Sequence, residues 1–171
     1  MNEPKRSERK DMHTISILVA NKPGVLVRVA LVFARRAYNI DSLVVSPTVN
    51  PHYSRMTITA QGNPEALEQI IKQASKLIDV LHASEHTYEN KVEKELALYK
   101  VHANPAARAA IIKLLKKFHA HIDDSSEGAL IIEQTGTTAQ LDELEELLKK
   151  YGIVEMVRTG KILMMKGKAE T

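Results

Sequence analysis

The sequence predicts an α+β protein made of two tandem β-α-β-β-α-β units, each a small antiparallel sheet with two helices on one face. Three observations predict it. Short apolar stretches alternate between a period of two and a period of three to four, their order is the same in both halves of the 171 residues, and residues match between the halves at offsets of 83 and 82 and then a constant 74, about eight residues being lost from the second copy between its second and third strands.

The first strand is HTISILVA, His13 to Ala20, rich in β-branched residues and broken by Asn21-Lys22-Pro23-Gly24. Leu26, Val29, Ala30, Phe33 and Ala37 follow at helical spacing, with Arg28, Arg35 and Arg36 off that face. Ile40 to Ser46 and Ser54 to Gln61 read as strands, and the two prolines between them, Pro47 and Pro51, forbid continuous pairing. A second helix carries Leu67, Ile70, Ile71, Ala74 and Ile78 on one stripe, with Asn63 as N-cap and Pro64 at its first position. Val80 to Tyr88 closes the unit as a fourth strand.

The second half repeats this order. Glu95 to Ala103 is strand-like, Asn104-Pro105 opens a helix with Ile111, Leu114, Leu115 and Phe118 inward, and Ile122 to Ser125 and Ala129 to Gln134 are strands. Thr138 is expected to cap a helix bearing Leu141, Leu144, Leu148 and Tyr151, Ile153 to Val157 closes the unit, and Ile162 to Met165 is a candidate extra strand. Ala20-Asn21 matches Ala103-Asn104, Ile40-Asp41 matches Ile122-Asp123, and Gly62, Leu67, Ile70 and Val80 match Gly136, Leu141, Leu144 and Val154. The expected organisation is a flexible tail at 1–12, a first domain at 13–89 and a second at 95–166.

Composition removes much chemistry. With no cysteine there are no disulfides, thiolate nucleophiles or zinc-cysteine sites, and a reducing cytoplasm is the expected setting. No apolar run approaches the roughly 18 to 20 residues of a membrane-spanning helix, and MNEPKRSERKDMH lacks the apolar region of a secretory signal. The formal charge of +3 is spread among alternating acids and bases, with no aromatic-laced basic stripe for nucleic acid. No nucleophile-elbow, phosphate-loop or H-E-x-x-H motif is present. His82 with His86, and His119 with His121, would each share a face on a strand; each pair reads as solvated edge histidines or as half of a weak metal site. Glu143, Glu145 and Glu146 read as the solvated face of a helix whose other face is leucine.

One stretch stands apart. Asn21-Lys22-Pro23-Gly24 delivers the chain directly into a helix, whose first amides lack internal partners and carry the positive end of the dipole. Gly24 is there to turn the chain, to allow close packing, or to let a carboxylate or phosphate approach those amides. The spacing does not fit a dinucleotide fingerprint.

Asn21-x-Pro23-Gly24-Val25-Leu26-x-Arg28-Val29, then Phe33-x-x-Arg36-x-Tyr38-Asn39-Ile40-Asp41-Ser42-Leu43, then Ser46-Pro47-Thr48 and Ser54-Arg55-Met56-Thr57-Ile58 resemble the regulatory (small) subunit of acetolactate synthase, or acetohydroxyacid synthase. The likeness runs on through Leu67-Glu68-Gln69-Ile70, Lys76-Leu77-Ile78-Asp79-Val80, Glu95-Leu96-Ala97-Leu98 and Gly136-Thr137. It implies an N-terminal ACT domain, a ferredoxin-like unit that binds amino acids, and a C-terminal ACT-like domain, with no active site in this chain. It also implies a homodimer through the ACT domain. The expected partner is the catalytic subunit, which would hold thiamine diphosphate, Mg2+ and FAD; this chain would hold no cofactor. It would activate that subunit and confer feedback inhibition by a branched-chain amino acid, valine foremost, on the condensation of two pyruvates to 2-acetolactate. By position, the effector loop is Asn21, Lys22, Pro23, Gly24, Val25 and Leu26, with Asn39 and Ile40 supplied by a second protomer. Amides of Gly24, Val25 and Leu26 would take the effector carboxylate, side-chain carbonyls of Asn21 and Asn39 its ammonium, and Val25, Leu26 and Ile40 its apolar side chain. A stand-alone amino-acid sensor acting on another partner is the alternative reading.

Overall fold

The computed structural model describes residues 11–88, 90–126 and 128–171. The expected tail at 1–12 lies outside these as far as residue 10, and Met12 already belongs to the first strand.

The first unit is β1 (Met12–Ala20), α1 (Val25–Ala34), β2 (Ser42–Pro47), β3 (Tyr53–Gln61), α2 (Pro64–Ala74) and β4 (Val80–Glu85), with antiparallel sheet order β2-β3-β1-β4. The second is β5 (Lys91–His102), α3 (Pro105–Phe118), β6 (His121–Ser126), β7 (Ala129–Gly136), α4 (Thr138–Lys149) and β8 (Ile153–Arg158), in order β6-β7-β5-β8. A last strand, β9 (Ile162–Met165), pairs with β5. This is the ferredoxin-like topology, twice.

In each unit one sheet face is closed by two helices. Ile15 pairs with Ile58 and Ile17 with Met56, and these side chains meet Val25, Val29, Val32 and Phe33 of α1 and Leu67, Ile70 and Ala74 of α2. The second core holds Ala97, Tyr99, Val101, Leu130 and Ile132 beneath Ile111, Leu115, Leu141, Leu144 and Leu148. Capping fixes the helix starts. The side chains of Asn63 and Asn104 accept from Ala66 N–H (2.9 Å) and Ala107 N–H (2.8 Å), with proline at the first helical position in both.

The repeat extends to an irregularity. The β1–β4 ladder shifts register between Leu18 and Val19, and the β5–β8 ladder shifts at the corresponding place, between Lys100 and Val101. There Val80 faces Val19 and Ile153 faces Val101, so the spatial counterpart of Val80 is Ile153 rather than the expected Val154. The bulge is common to both ladders, so the difference of one residue falls between the second helix and the last strand of each unit.

Several boundaries and faces differ from expectation. Helix α1 is apolar nearly all round, so periodicity does not choose its inner face: Val25 and Val32 are buried, while Leu26 is 43% exposed and Ala37 lies beyond the helix. Helix α2 stops at Ala74, which leaves Ile78 exposed. The N-cap of α4 is Thr137, not Thr138; Thr137 and Gln140 form a reciprocal capping box. The fourth strand ends at Glu85, short of Tyr88. His119 is the left-handed cap after α3 rather than a strand residue, so it does not share a strand face with His121.

By packing, residues 94–159 and 9–93 form separate compact units, and 160–171 group with the latter, whereas the sequence reading carries the second domain to 166. Among the described residues the chain therefore passes between the units twice.

Candidate functional site

Gly24 has φ +82° and ψ −8°, the left-handed region that a side chain disfavours, and it is the N-cap of α1 without a side-chain cap. The Val25 N–H turns back to the Lys22 carbonyl (3.4 Å), and Arg28 starts the helical ladder on the Gly24 carbonyl (3.2 Å). Among the described residues the amides of Leu26 and Val27 have no acceptor, which leaves a short row of donors at the positive end of the helix.

The loop is braced from both sides. The Asn21 N–H donates to the His52 carbonyl (2.7 Å) and its side-chain NH2 to the Pro51 carbonyl (2.9 Å), which leaves its side-chain oxygen as an acceptor. The proline-rich β2–β3 connection that limits strand pairing thus serves as the loop's buttress. On the other side Arg28 forms an ion pair with Asp79, and its Nη1 lies 3.3 Å from where a Gly24 Cβ would stand. Gly24 is thus needed for its φ, and a Cβ there would also crowd the Arg28 guanidinium.

Lys22, Pro23 and Leu26 are exposed beside these donors. Val25 is not, for its side chain is only 2% exposed and belongs to the core. Val25 is thus part of the core rather than of the exposed apolar surface, which Leu26 and, two residues after Val25, the 60% exposed Val27 supply.

Asn39 and Ile40 sit at the opposite end of α1. The helix ends in a Schellman motif: Tyr38 N–H donates to the Phe33 carbonyl (3.1 Å), Ala37 N–H to the Ala34 carbonyl (3.0 Å), and Ala37 has φ +56°. The Tyr38 ring lies over Gly62 so closely that a Gly62 Cβ would fall 2.0 Å from its Cε1. Asp41 N–H donates to the Thr59 carbonyl (2.8 Å), which leaves Asn39 exposed and Ile40 half-buried at the start of edge strand β2. A ten-residue helix spans about 15 Å, so one protomer does not bring Asn39 to Gly24.

The second unit lacks this arrangement. Its β5–α3 connection has Asn104-Pro105 but no glycine, and its edge strand β6 carries Asp123, Asp124, Ser125 and Ser126. It has instead an ionic cluster that the sequence reading did not find. Arg158, with its side chain 1% exposed, binds Glu95 and Asp142, both buried, and Thr138 donates to the other oxygen of Glu95. Asp142 therefore does not belong to the solvated face assigned to its neighbours.

Among the described residues no group of three or more histidines and carboxylates stands at metal-ligand spacing. His86 is buried, with its Nε2 2.8 Å from the Ser84 hydroxyl. No helix of the described residues is long and apolar enough to cross a membrane.

Residues 15–82 match the family model of the AHAS small subunit-like ACT domain, and residues 94–167 match that of the small subunit of acetolactate synthase. The chain is 48% identical over 155 residues to a probable acetolactate synthase small subunit of Archaeoglobus fulgidus, covering 91% of this chain and 97% of that one. It is 44% identical to the acetolactate synthase small subunit of Mycolicibacterium smegmatis, with 91% of each covered. The crystal structure of the acetolactate synthase small subunit from Thermotoga maritima superposes with a TM-score of 0.83 at 38% identity, over 92% of this chain and 99% of that one. On this evidence the chain belongs to the acetolactate synthase small-subunit family, the regulatory subunits with an ACT domain.

Proposed function

We propose that this chain binds the thiamine-diphosphate-dependent catalytic subunit of acetolactate synthase in the cytoplasm, raises its activity, and makes it subject to feedback inhibition by valine. The observation that carries this reading is the α1 N-terminus. Free amides at Leu26 and Val27, a left-handed Gly24 and the side-chain oxygen of Asn21 converge on one exposed edge. The donors suit a carboxylate, the Asn21 oxygen suits an ammonium, and Leu26 and Val27 offer apolar surface for a small branched side chain.

A homodimer completes the site. Strand β2 is an edge strand running from Ser42, opposite Thr59, to Pro47, opposite Ser54, and the Pro47 end is also the end where β1 enters the loop. Antiparallel pairing of two β2 strands about a two-fold axis sets the Ser42 end of one protomer against the Pro47 end of the other. That brings the partner's Asn39 and Ile40 toward Gly24. The outer face of α1, with Leu26, Val27 and Leu31 each more than 40% exposed, supports the same pairing, since a helix apolar on both faces is ordinarily covered.

Inhibition then follows from linkage. An effector held by two protomers binds only where their arrangement suits it, so occupancy favours that arrangement in the holoenzyme. Cofactor chemistry stays with the catalytic subunit, and the reaction it controls is the joining of two pyruvates to 2-acetolactate. Calorimetric titration of L-valine, L-leucine and L-isoleucine into the chain, followed by inhibition assays with the catalytic subunit, tests the reading. Valine binding with loss of holoenzyme activity is expected; failure of all three to bind removes the effector site, and failure to co-purify with the catalytic subunit removes the partnership.

A further inference from the structure

The segment Gly160–Thr171 follows the second unit in sequence yet belongs to the first by packing. Among the described residues its attachments include ion pairs, a strand ladder and the buried Leu163. Lys161 Nζ lies 2.7 Å from Oε1 of Glu93, whose Oε2 takes Lys91 Nζ at 3.0 Å. Lys166 N–H donates to the Asn90 carbonyl (3.1 Å), and β9 pairs with β5. Leu163 is buried, but Ile162 and Met164 are exposed. A short terminal element of this kind opens at lower free energy than the core of the unit it joins.

Its first residue packs against Ser42, close in sequence to Asn39 and Ile40. Gly160 is buried at φ +87°, and a methyl placed on it would fall 2.5 Å from both Cβ and Oγ of Ser42. Ser42 opens β2, two residues after Ile40, and its hydroxyl lies 2.5 Å from that of Thr59. The Thr59 carbonyl also holds the Asp41 N–H. Asp41 and Ser42 are thus held against β3, Ser42 abuts Gly160, and Asn39 and Ile40 precede the paired residues.

We propose that the contact between Ser42 and Gly160 carries effector occupancy at Asn39 and Ile40 to the C-terminal segment, so that binding tightens the attachment of β9. The inference rests on the effector reading proposed above. An effector that orders Asn39 and Ile40 fixes the start of β2, and a fixed Ser42 restricts the close-packed glycine against it. The bistable element is the β9 attachment, and both the effector and the Glu93 ion pairs bias it.

Hydrogen exchange of the full chain with and without saturating L-valine tests this. In the wild type, valine is expected to slow exchange of amides 161–166 by about fivefold or more. In Gly160→Ala, whose methyl forces Ser42 and the segment apart, valine still binds but that protection is lost. Should Gly160→Ala fail to fold, Glu93→Gln, which loosens the segment without entering the contact, must still show protection on valine binding. Valine binding that leaves 161–166 unchanged in the wild type overturns the inference and spares the effector reading, as does protection persisting in Gly160→Ala. No valine binding at all overturns both.

Discussion

Arg158 donates to a single oxygen of Glu95 through two nitrogens, Nε at 3.2 Å and Nη2 at 2.8 Å, while its Nη1 reaches Asp142 at 2.6 Å. All three side chains are at most 5% exposed. In the first unit His13 and Glu85, 2.6 Å apart, join the same two strand positions, for Ile15 faces Glu85 as Ala97 faces Arg158. The duplicated fold thus keeps a paired carboxylate between its central strand and the adjacent edge strand but places it on the edge strand in one unit and on the central strand in the other. Arg158→Met removes the cation and leaves two carboxylates buried, so the second unit is expected to lose about 3 to 5 kcal/mol. Urea unfolding followed by circular dichroism measures this, and a loss below about 1 kcal/mol would mean that water reaches the carboxylates.

Gly24→Asp places a side chain at φ +82° and an anion beside the amides proposed to take the effector carboxylate. Asn39→Ala removes the acceptor expected from the partner. Each is expected to raise the valine concentration for half-inhibition of the reconstituted enzyme by about tenfold or more, the loss of one charge-assisted hydrogen bond. Activation of the catalytic subunit persists in both. Wild-type sensitivity in both variants would remove these residues from the site.

The element order was readable because alternation and helical period differ, and because Asn63-Pro64 and Asn104-Pro105 are capping signals that act locally. The inner face of α1 was not, since an apolar residue at nearly every position leaves the choice to the sheet it meets. Glu95 carried an overlooked signal: it holds the inward parity of Ala97, Tyr99 and Val101, so as a strand residue it had to be buried and paired. Which cation would pair with it depended on the β5–β8 register, and that is set by a bulge with no local sequence mark. The glycine loop could be found from sequence, but the distance from Gly24 to Asn39 could be judged only once both ends of α1 were placed.

Ala37 holds the left-handed position of the Schellman motif, with φ +56°, where glycine carries no penalty. Ala37→Gly is therefore expected to stabilise the first unit by about 1 kcal/mol, the cost of that conformation for an L-residue, less the entropy glycine adds to the unfolded chain. A rise in the urea midpoint without a change in slope is the expected result. A fall would mean that the alanine methyl contributes packing that outweighs the strain.

Glu93 supplies a pH dependence whose sign can be worked out. Burial pushes its carboxyl upward, but the hydrogen bonds and charges of Lys161 and Lys91 outweigh that and hold it below the ordinary value of 4.5. A carboxyl lowered on folding contributes stability that is present above its unfolded value and is lost as pH falls through its folded one. The attachment of residues 160–171 is therefore expected to be constant near neutrality and to weaken below pH 4.5 as the two lysines lose their common anion. Glu93→Gln removes the titrating group. Thermal unfolding compared between neutral pH and pH 4 should fall less steeply in this variant than in the wild type, and it should start lower at neutral pH. Parallel curves across the whole range would place the acid sensitivity elsewhere, with Glu85 the next group to test, because His13 and Thr87 hold its carboxyl down against burial in the same way.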